Sequence, residues 1–296
     1  MPARTKPQNR TRAEILDRLR QHLRRLRLSE LEPALDKLFA WAETEKASHL
    51  ELVERLLGEA AGNKRERSIE RRIKNSGLRV RKTLEAFDFN FQPKLDTSLI
   101  ESLMTLRFVE KKEDVLFTGK SGTGKSHLLQ AIALRACHHE IPTRYARSVD
   151  LIDDLYAGLA DGTYERRLRA WSRPPLLVID DVGLGQVRKH HDEPTAAHAL
   201  FNLLDRRHQQ ASTILSSNIK LSGWGKYLGD ATLAAAILDR LAMNSIRIDI
   251  DGPSYRQHIA RKRASEQGVE LETAVTPNSS TRREDSGPLG TKQPTP

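Results

Sequence analysis

The chain is 296 residues long, carries a formal net charge of +10 at pH 7 and contains one cysteine, Cys137. This length suits one large domain and a smaller one, and a lone cysteine excludes an internal disulfide framework and a cysteine metal site. No run approaches the roughly 20 apolar residues that a membrane span needs. The Arg-rich start lacks the apolar run of a secretory signal, so we expect a cytoplasmic protein that does not contact membranes.

Positive charge is concentrated at the N-terminal end. Residues 1–82 hold 21 Lys and Arg against 12 Asp and Glu, a surplus of nine positive charges, while the rest of the chain is nearly neutral. This asymmetry favours an N-terminal segment that binds a polyanion, followed by a domain whose positive and negative charges nearly cancel. Solvated helix faces are the alternative explanation.

The first part of the chain has the apolar spacing of helices. Leucines recur at three- and four-residue steps from Arg12 onward, which predicts a first amphipathic helix. A second helix is predicted after Ser29, because Ser is a good N-cap and Glu32 stands three residues later, as in a capping box. A third is expected over about residues 50–57, ending near Gly58.

The most basic segment is 64–82, with nine Lys and Arg against two Glu. Ile69 and Ile73 are its regular apolar positions, so the pattern predicts a weakly amphipathic, exposed helix. Such an element would contact DNA phosphates and give affinity with little base readout. A solvated helix, or a surface that docks a protein partner, is the alternative. The candidate DNA-binding residues are Lys64, Arg65, Arg67, Arg71, Arg72 and Lys74.

Composition divides the chain into four parts. Residues 1–82 are predicted to form a small all-helical N-terminal domain that binds DNA or a partner, and 83–95 a linker. Residues 96–264 alternate strands and helices, which predicts an α/β domain with a parallel central sheet covered on both faces. Residues 265–296 have almost no apolar periodicity and are predicted to be a disordered tail. Strands are expected near residues 115–118, 143–146, 176–180, 213–217 and 246–250.

A complete G-x-x-x-x-G-K-[ST] phosphate loop lies between the first of these strands and a helix. Its backbone N–H groups and the positive end of the helix dipole suit a nucleoside triphosphate such as ATP. Lys125 would reach the β- and γ-phosphates, and the Ser126 hydroxyl would ligate Mg²⁺. The loop consists of Gly119, Lys120, Ser121, Gly122, Thr123, Gly124, Lys125 and Ser126.

A second motif follows about fifty residues later, where four aliphatic residues precede Asp180 and Asp181. The run predicts a central strand buried on both faces, whose carboxyl end lies beside the phosphate loop. Asp180 is therefore the candidate for holding Mg²⁺ through its water shell. Asp181 is the candidate general base that polarises the attacking water.

Further polar residues match ATPases that carry an extra strand between these two motifs. Asn218, at the tip of the predicted strand, could contact the γ-phosphate or orient the water. Arg240 would complete the site of a neighbouring subunit in a homo-oligomer; an ion pair with Asp239 or Asp249 is the alternative. Arg256 could reach the nucleotide within its own chain. Two arginines are rivals for the role in a neighbouring site, namely Arg206 and Arg207.

Several short motifs occur in a characteristic order along the chain. They are Gly119–Ser126, Leu177–Leu184, Ser216–Asn218, Trp224–Gly225, Ala236–Leu241 and Ser254–Arg256. Over roughly residues 12–262 the chain therefore resembles the IstB-like ATPases, helper proteins of a class of bacterial insertion sequences and close relatives of the DnaC helicase loaders. The pairing of Trp-Gly with Ile-Leu-Asp-Arg-Leu is the most specific part of this resemblance.

The resemblance implies a P-loop AAA+ ATPase that binds ATP, oligomerises on double-stranded DNA and directs a partner transposase to its target. It places the ATP site on Gly119–Ser126, with Asp180 and Asp181 for metal and water, Asn218 as sensor and Arg240 as the arginine acting in trans. Many AAA+ proteins have Asp-Glu where this chain has two aspartates. The shorter side chain would position water less well, so we expect slow hydrolysis that DNA or a partner stimulates.

Two other functions fit part of the sequence. A replicative helicase loader would dock a helicase with its N-terminal region and bind single-stranded DNA, but this region lacks the cysteine cluster of a zinc-bearing docking module. A DNA-binding scaffold that scarcely hydrolyses ATP is the other alternative. The pair of carboxylates and the candidate trans arginine count against it.

Overall fold

The computed structural model describes residues 11–183 and 196–266. The chain divides into two units, Met1–Tyr255 and Arg256–Pro296. The helix Tyr255–Glu266 begins at the last residue of the first unit, and the described residues of the second unit all belong to it. The predicted disordered tail, 265–296, lies outside the described residues apart from its first two, and these two are helical.

Three helices and a short turn form the N-terminal part of the first unit. The three helices are α1 (Arg12–Arg25), α2 (Glu32–Thr44) and α3 (His49–Ser76). A 3₁₀ turn at Ser29–Leu31 joins α1 to α2, and α3 is the longest of the three, with 28 residues. Their buried side chains form a small core around Leu23, Leu31 and Leu35.

The helix boundaries correct two expectations. Ser29 opens the 3₁₀ turn and makes no capping box with Glu32, whose carboxylate instead accepts hydrogen bonds from Arg24 at 2.8 and 2.9 Å. Helix α3 does not end near Gly58, because a helical glycine costs only about 1 kcal/mol relative to alanine and the tertiary contacts of the following turns outweigh that. It ends at Ser76, and the next residue, Gly77, caps it with a φ of 83°, the left-handed conformation typical of a helix C-terminus.

The prediction of a parallel sheet is confirmed. Every expected strand is present, longer than predicted by one or two residues. They are β1 (Asp114–Gly119), β2 (Thr143–Arg147), β3 (Leu176–Val182), β4 (Ser212–Ser217) and β5 (Ser245–Ile250). All pairs are parallel, and the order across the sheet is β2-β3-β4-β1-β5, with β4 between the strand of the phosphate loop and the strand of the aspartates.

Helices cover both faces of this sheet. The helices of the first unit after α3 are α4 (Thr97–Met104), α5 (Arg107–Glu110), α6 (Lys125–His138), α7 (Ser148–Ala160), α8 (Tyr164–Ser172), α9 (Ala196–Arg207), α10 (Trp224–Leu228) and α11 (Ala231–Met243). Alternate residues of β3 point to opposite faces, so that Leu177 and Ile179 enter one hydrophobic core while Leu176 and Val178 enter the other. The first core is closed by α7, α8, α9 and α11, and the second by α4 and α6.

The C-terminal half of α3 packs directly on the α/β body. Ile73 is 3% exposed and contacts Leu134 and Cys137 of α6. The Arg72 Nε atom donates a hydrogen bond to the Glu140 carbonyl oxygen at 3.0 Å. The expectation of an exposed, weakly amphipathic helix is therefore wrong on this side of α3, because its apolar positions bury against α6. Among the described residues, no helix is both long and apolar enough to cross a membrane.

Candidate functional site

The phosphate loop joins β1 to α6 through backbone conformations that favour glycine. Gly119 has a φ of 141°, and a Cβ there would lie 2.4 Å from the Ile250 carbonyl oxygen of the neighbouring strand. Gly124 has a φ of 104°, and a Cβ there would lie 2.6 Å from the ring of Phe87. Both positions therefore require glycine for backbone conformation and for space. The linker residue Phe87 lies directly against the loop.

Lys125, at the first position of α6, is 4% exposed. Its ammonium group donates hydrogen bonds to the carbonyl oxygens of Gly119 at 2.7 Å and Lys120 at 2.8 Å. The loop thus holds a buried positive charge next to the N-terminus of a 14-residue helix. A helix N-terminus and a lysine at one loop form an arrangement that suits phosphate groups.

Asp180 lies at the carboxyl end of β3 and is 1% exposed. Its Oδ1 atom accepts hydrogen bonds from the hydroxyls of Ser126 (3.2 Å) and Ser216 and from the Asp181 N–H (3.0 Å). Its Oδ2 atom accepts from the hydroxyl of Tyr145 at 2.6 Å. Four donors therefore compensate a carboxylate that would otherwise be costly to bury.

Tyr145 stays a donor over the physiological pH range. Burial, followed by the negative charge of Asp180 and the hydrogen bond to it, raises the pKa of the Tyr145 phenol well above its ordinary value. The Gln130 side chain donates a hydrogen bond to the same hydroxyl at 3.3 Å. The phenol therefore remains protonated and can donate to Asp180 continuously.

The oxygens of Ser126 and Asp180 fit a magnesium ion. They lie 3.2 Å apart, and hydroxyl and carboxylate oxygens are ligands that Mg²⁺ accepts. In the described part of the chain, no group of three or more His, Cys, Asp and Glu side chains could hold a metal ion. A Mg²⁺ ion that keeps waters and takes phosphate oxygens needs only one or two protein ligands, which matches this pair.

Asp181 follows in an unusual backbone conformation. Its φ is 61°, and the pairing of β3 with β4 shifts register between Ile179 and Val182. The Asp181 N–H donates to the Ser216 hydroxyl at 2.9 Å, and its carbonyl oxygen accepts from the Ser148 hydroxyl at 3.1 Å. Hydrogen bonds to β4 and α7 thus hold a backbone conformation that non-glycine residues seldom adopt.

Asn218 lies just beyond the end of β4, beside the end of β3. Its backbone N–H donates to the Val182 carbonyl oxygen at 3.3 Å. A Cβ on Gly183 would lie 2.6 Å from the Asn218 Oδ1 atom. This Oδ1 atom is buried and accepts no hydrogen bond within the described residues. Buried acceptors normally have a donor, so this amide is suited to a water or ligand.

Arg240, on α11, is bound within its own chain. Its guanidinium forms an ion pair with Asp205 of α9 at 2.8 Å and lies over the ring of Phe201 at 4.4 Å. The partner is thus neither Asp239 nor Asp249, the two considered from sequence. With its side chain 31% exposed, Arg240 is held at the surface by contacts at α9.

The two rival arginines at the end of α9 differ sharply. Arg206 is partly exposed and pairs with Glu165 of α8 at 2.8 Å. Arg207 is 1% exposed, and its guanidinium donates to the Thr213 hydroxyl at 2.9 Å and to the carbonyl oxygens of Ser172, Pro174 and Ser212. Arg207 therefore ties α9 to β4 inside its own chain. Arg256, the other sequence candidate, belongs to the second unit.

The candidate DNA-binding residues of α3 fall into two groups. Arg65 forms an ion pair with Glu140 at 3.6 Å, Arg67 pairs with Glu30, and Arg72 donates to the Glu140 carbonyl oxygen. The other three are exposed and form no ion pair within the described residues. These are Lys64, Arg71 and Lys74.

Comparison with known proteins decides the family. The model of the IstB-like ATP binding protein family matches residues 21–264, which include the whole phosphate loop and both aspartates. The chain belongs to this family. One relative is the ATP-binding protein of insertion sequence IS5376 from Geobacillus stearothermophilus. It is 36% identical, and the match covers 85% of this chain and 97% of the relative. A second relative is the ATP-binding protein of insertion sequence IS21 from Pseudomonas aeruginosa. It is 34% identical, and the match covers 81% of this chain and 89% of the relative.

Solved structures share part of the architecture. DnaA from Aquifex aeolicus bound to AMPPCP has a TM-score of 0.48 and 20% identity, covering 65% of this chain and 57% of that one. The DnaC helicase loader has a TM-score of 0.41 and 20% identity, covering 52% of this chain and 91% of that one. Both likenesses are too weak to support a functional argument, so the family assignment rests on the sequence relatives.

The hydrogen bonds of Tyr145 and Ser216 to Asp180 in this IstB-like site were not predicted from sequence. Both residues were inside predicted strands, where a lone Tyr is indistinguishable from core packing. The order of the strands is what places β2 and β4 on either side of β3. No local sequence signal marks Tyr145, whereas Ser216 stands two residues before Asn218 in a motif already singled out.

Proposed function

We propose that this protein is a cytoplasmic helper ATPase of transposition, which binds ATP with Mg²⁺, oligomerises on double-stranded DNA and directs its partner transposase to target sites. The observation that carries the proposal is the match to ATP-binding proteins of insertion sequences, 36% and 34% identical over 97% and 89% of their length. The convergence of the phosphate loop with a buried Asp180 supports the ATP-dependent part.

The proposed site divides the work of hydrolysis among its side chains. Lys125 and the N–H groups of the loop bind the β- and γ-phosphates, while Ser126 and Asp180 hold the metal. When bound, Mg²⁺ neutralises charge that develops on the phosphate oxygens. Asp181 acts as general base toward the attacking water, and the Asn218 Oδ1 atom accepts a hydrogen bond from the same water.

Slow basal turnover fits the conformation of Asp181. A general base must reach the water within about 3 Å, and an aspartate is one methylene shorter than the glutamate found in many AAA+ proteins. Hydrogen bonds also hold the backbone of Asp181 at a φ of 61°, so the backbone cannot move toward the water to compensate for the shorter side chain. We therefore propose that DNA or the transposase stimulates hydrolysis by improving this geometry.

Completion of the site by a neighbouring subunit is the reason for proposing an oligomer. Arg240 is the preferred trans arginine because the family resemblance assigns it this role, and its side chain, 31% exposed, can reach another molecule once it leaves Asp205. Arg206 is the remaining rival, while the burial of Arg207 speaks against that residue. Arg256 is retained as the proposed cis contact to the nucleotide.

The proposal is tested by measuring the size of the protein in solution by light scattering, with a long DNA duplex or single strand and with ATP, ADP or no nucleotide. A transposition helper should form large assemblies only when ATP and duplex are both present. A monomer that ignores duplex and binds single strands would overturn the proposal in favour of a helicase loader.

A further inference from the structure

The Asp180 carboxylate is held from both sides by side chains of neighbouring strands. Strand β3 lies between β2 and β4. On β2, Tyr145 is in register with Val178, two residues before Asp180, and its long side chain brings the hydroxyl to the Oδ2 atom at 2.6 Å. On β4, Leu215 is in register with Ile179, which places Ser216 beside Asp180.

These contacts leave the carboxylate one favourable orientation. Rotation of the carboxylate plane by about 90° would take one oxygen away from the phenol and the other from three donors, namely the hydroxyls of Ser126 and Ser216 and the Asp181 N–H. A short hydrogen bond to a charged acceptor is among the stronger ones in proteins. The surrounding strands therefore select the orientation of the carboxylate plane in which one oxygen faces Ser126 and the other faces Tyr145.

Tyr145 is itself held in place. Its backbone is paired with β3, its ring packs at the edge of the hydrophobic core on the α6 side of the sheet, and its hydroxyl accepts a hydrogen bond from Gln130 of α6. A phenylalanine would keep the ring and its packing and would lose only the hydroxyl. The contribution of the hydroxyl can therefore be measured without disturbing the fold.

We propose that Tyr145 is a positioning residue for magnesium binding: its hydroxyl fixes the rotation of the Asp180 carboxylate so that Oδ1 and the Ser126 hydroxyl face the metal together. Ser216 supports the same orientation from β4. This inference rests on the proposed function, because it assumes that the site binds ATP with Mg²⁺. Metal-binding groups need their supporting hydrogen bonds to stay within about 0.5 Å of a productive geometry.

The test compares the binding of a fluorescent ATP analogue with Mg²⁺ and with EDTA in the full-length protein and in Tyr145→Phe. We expect Tyr145→Phe to bind the metal-free analogue as the wild type does. The Mg²⁺ concentration needed for half of the metal-dependent gain in affinity should rise about tenfold, the size typical when a supporting hydrogen bond at a metal site is removed. Raising Mg²⁺ should restore turnover, which a packing defect would not allow.

Two further variants sharpen the result. Ser216→Ala should raise the Mg²⁺ requirement in the same direction. Tyr164→Phe is the matched control, since it removes a hydroxyl that accepts a hydrogen bond from Asn202 of α9. It should leave both affinities unchanged.

Each remaining outcome is decisive. An unchanged Mg²⁺ requirement in Tyr145→Phe would overturn the positioning role, as would an equal loss of affinity with Mg²⁺ and with EDTA, which would indicate packing alone. If the wild type itself showed no Mg²⁺-dependent binding of the analogue, the proposed function would fail first, and the inference with it.

Discussion

The nucleotide-binding end of the sheet and the basic half of α3 both collect charge, but in opposite ways. Lys125 and Asp180 are 4% and 1% exposed; Lys125 donates hydrogen bonds to backbone carbonyl oxygens, and Asp180 accepts them from neighbouring side chains. The basic residues of α3 lie mostly at the surface, and several form exposed ion pairs. Buried charges are costly when a partner is removed, whereas exposed pairs contribute about 0–1 kcal/mol. The two regions should therefore respond very differently to substitution.

The largest expected effect concerns Arg240. Arg240→Ala should bind ATP normally but lose about a thousandfold in turnover, as expected for an arginine acting in trans. Mixing it with Lys125→Ala protein should restore part of the activity, because an intact phosphate loop then meets an intact arginine. Steady-state phosphate release measures both effects. Wild-type turnover in Arg240→Ala would contradict the assignment of Arg240 as the trans arginine. If Arg206→Ala showed the loss of turnover instead, the role would belong to Arg206.

Next is the contrast between two neighbouring arginines of α9. Arg207→Ala should lower the free energy of unfolding by about 3–5 kcal/mol, because it removes a buried guanidinium with four hydrogen-bond partners. Arg206→Ala, the matched control, removes a partly exposed pair and should cost less than about 1 kcal/mol. Urea unfolding followed by circular dichroism measures both. Equal losses would contradict the assignment of Arg207 as a structural residue.

A smaller effect depends on pH. Burial raises the pKa of Asp114 to about 6, against the hydrogen bond from the Thr213 N–H and the charge of Arg207. A raised pKa of a folded carboxyl means a stability contribution that is present below pH 4 and lost as pH rises through about 6. Asp114→Asn keeps an acceptor for Thr213 but cannot ionise.

The free energy of unfolding of Asp114→Asn should therefore rise relative to the wild type between pH 4 and pH 8. The size of the pKa shift limits this gain in the free energy of unfolding to about 3 kcal/mol. Urea unfolding at several pH values measures the difference. A difference that stays flat across this range would show that Asp114 ionises in the folded protein as easily as in the unfolded one.

The smallest effects are expected on α3. Replacing the exposed Lys64, Arg71 and Lys74 by Gln should reduce the slope of log affinity against log salt by up to about 0.9 for each DNA phosphate that is no longer neutralised. The matched variant replaces Arg65, Arg67 and Arg72, which already have partners within the chain, and should change the slope less. If neither variant changes the slope, the phosphate-binding residues lie elsewhere; α8 and the residue after it offer the exposed Arg166, Arg169 and Arg173.

The same contrast explains what could be predicted from sequence. The phosphate loop, the two aspartates and the strands depend on local patterns, and the strands were confirmed. The length of α3 could not be predicted, because it depends on burial of Ile73 against α6, a contact between distant segments. The contact of Tyr145 with Asp180 likewise depends on the order of strands. The roles of Asp181, Asn218 and Arg240 stay predictions.

Helix α3 has a mechanical consequence for the chain. It is anchored on α6 at Ile73, and α6 begins at Lys125 of the phosphate loop. From Ile73 back to His49 the helix extends about 36 Å at 1.5 Å per residue. A tilt of α6 by about 5° would therefore swing the far end of this lever by about 3 Å. Small movements at the phosphates would thus be magnified where α3 meets the other N-terminal helices.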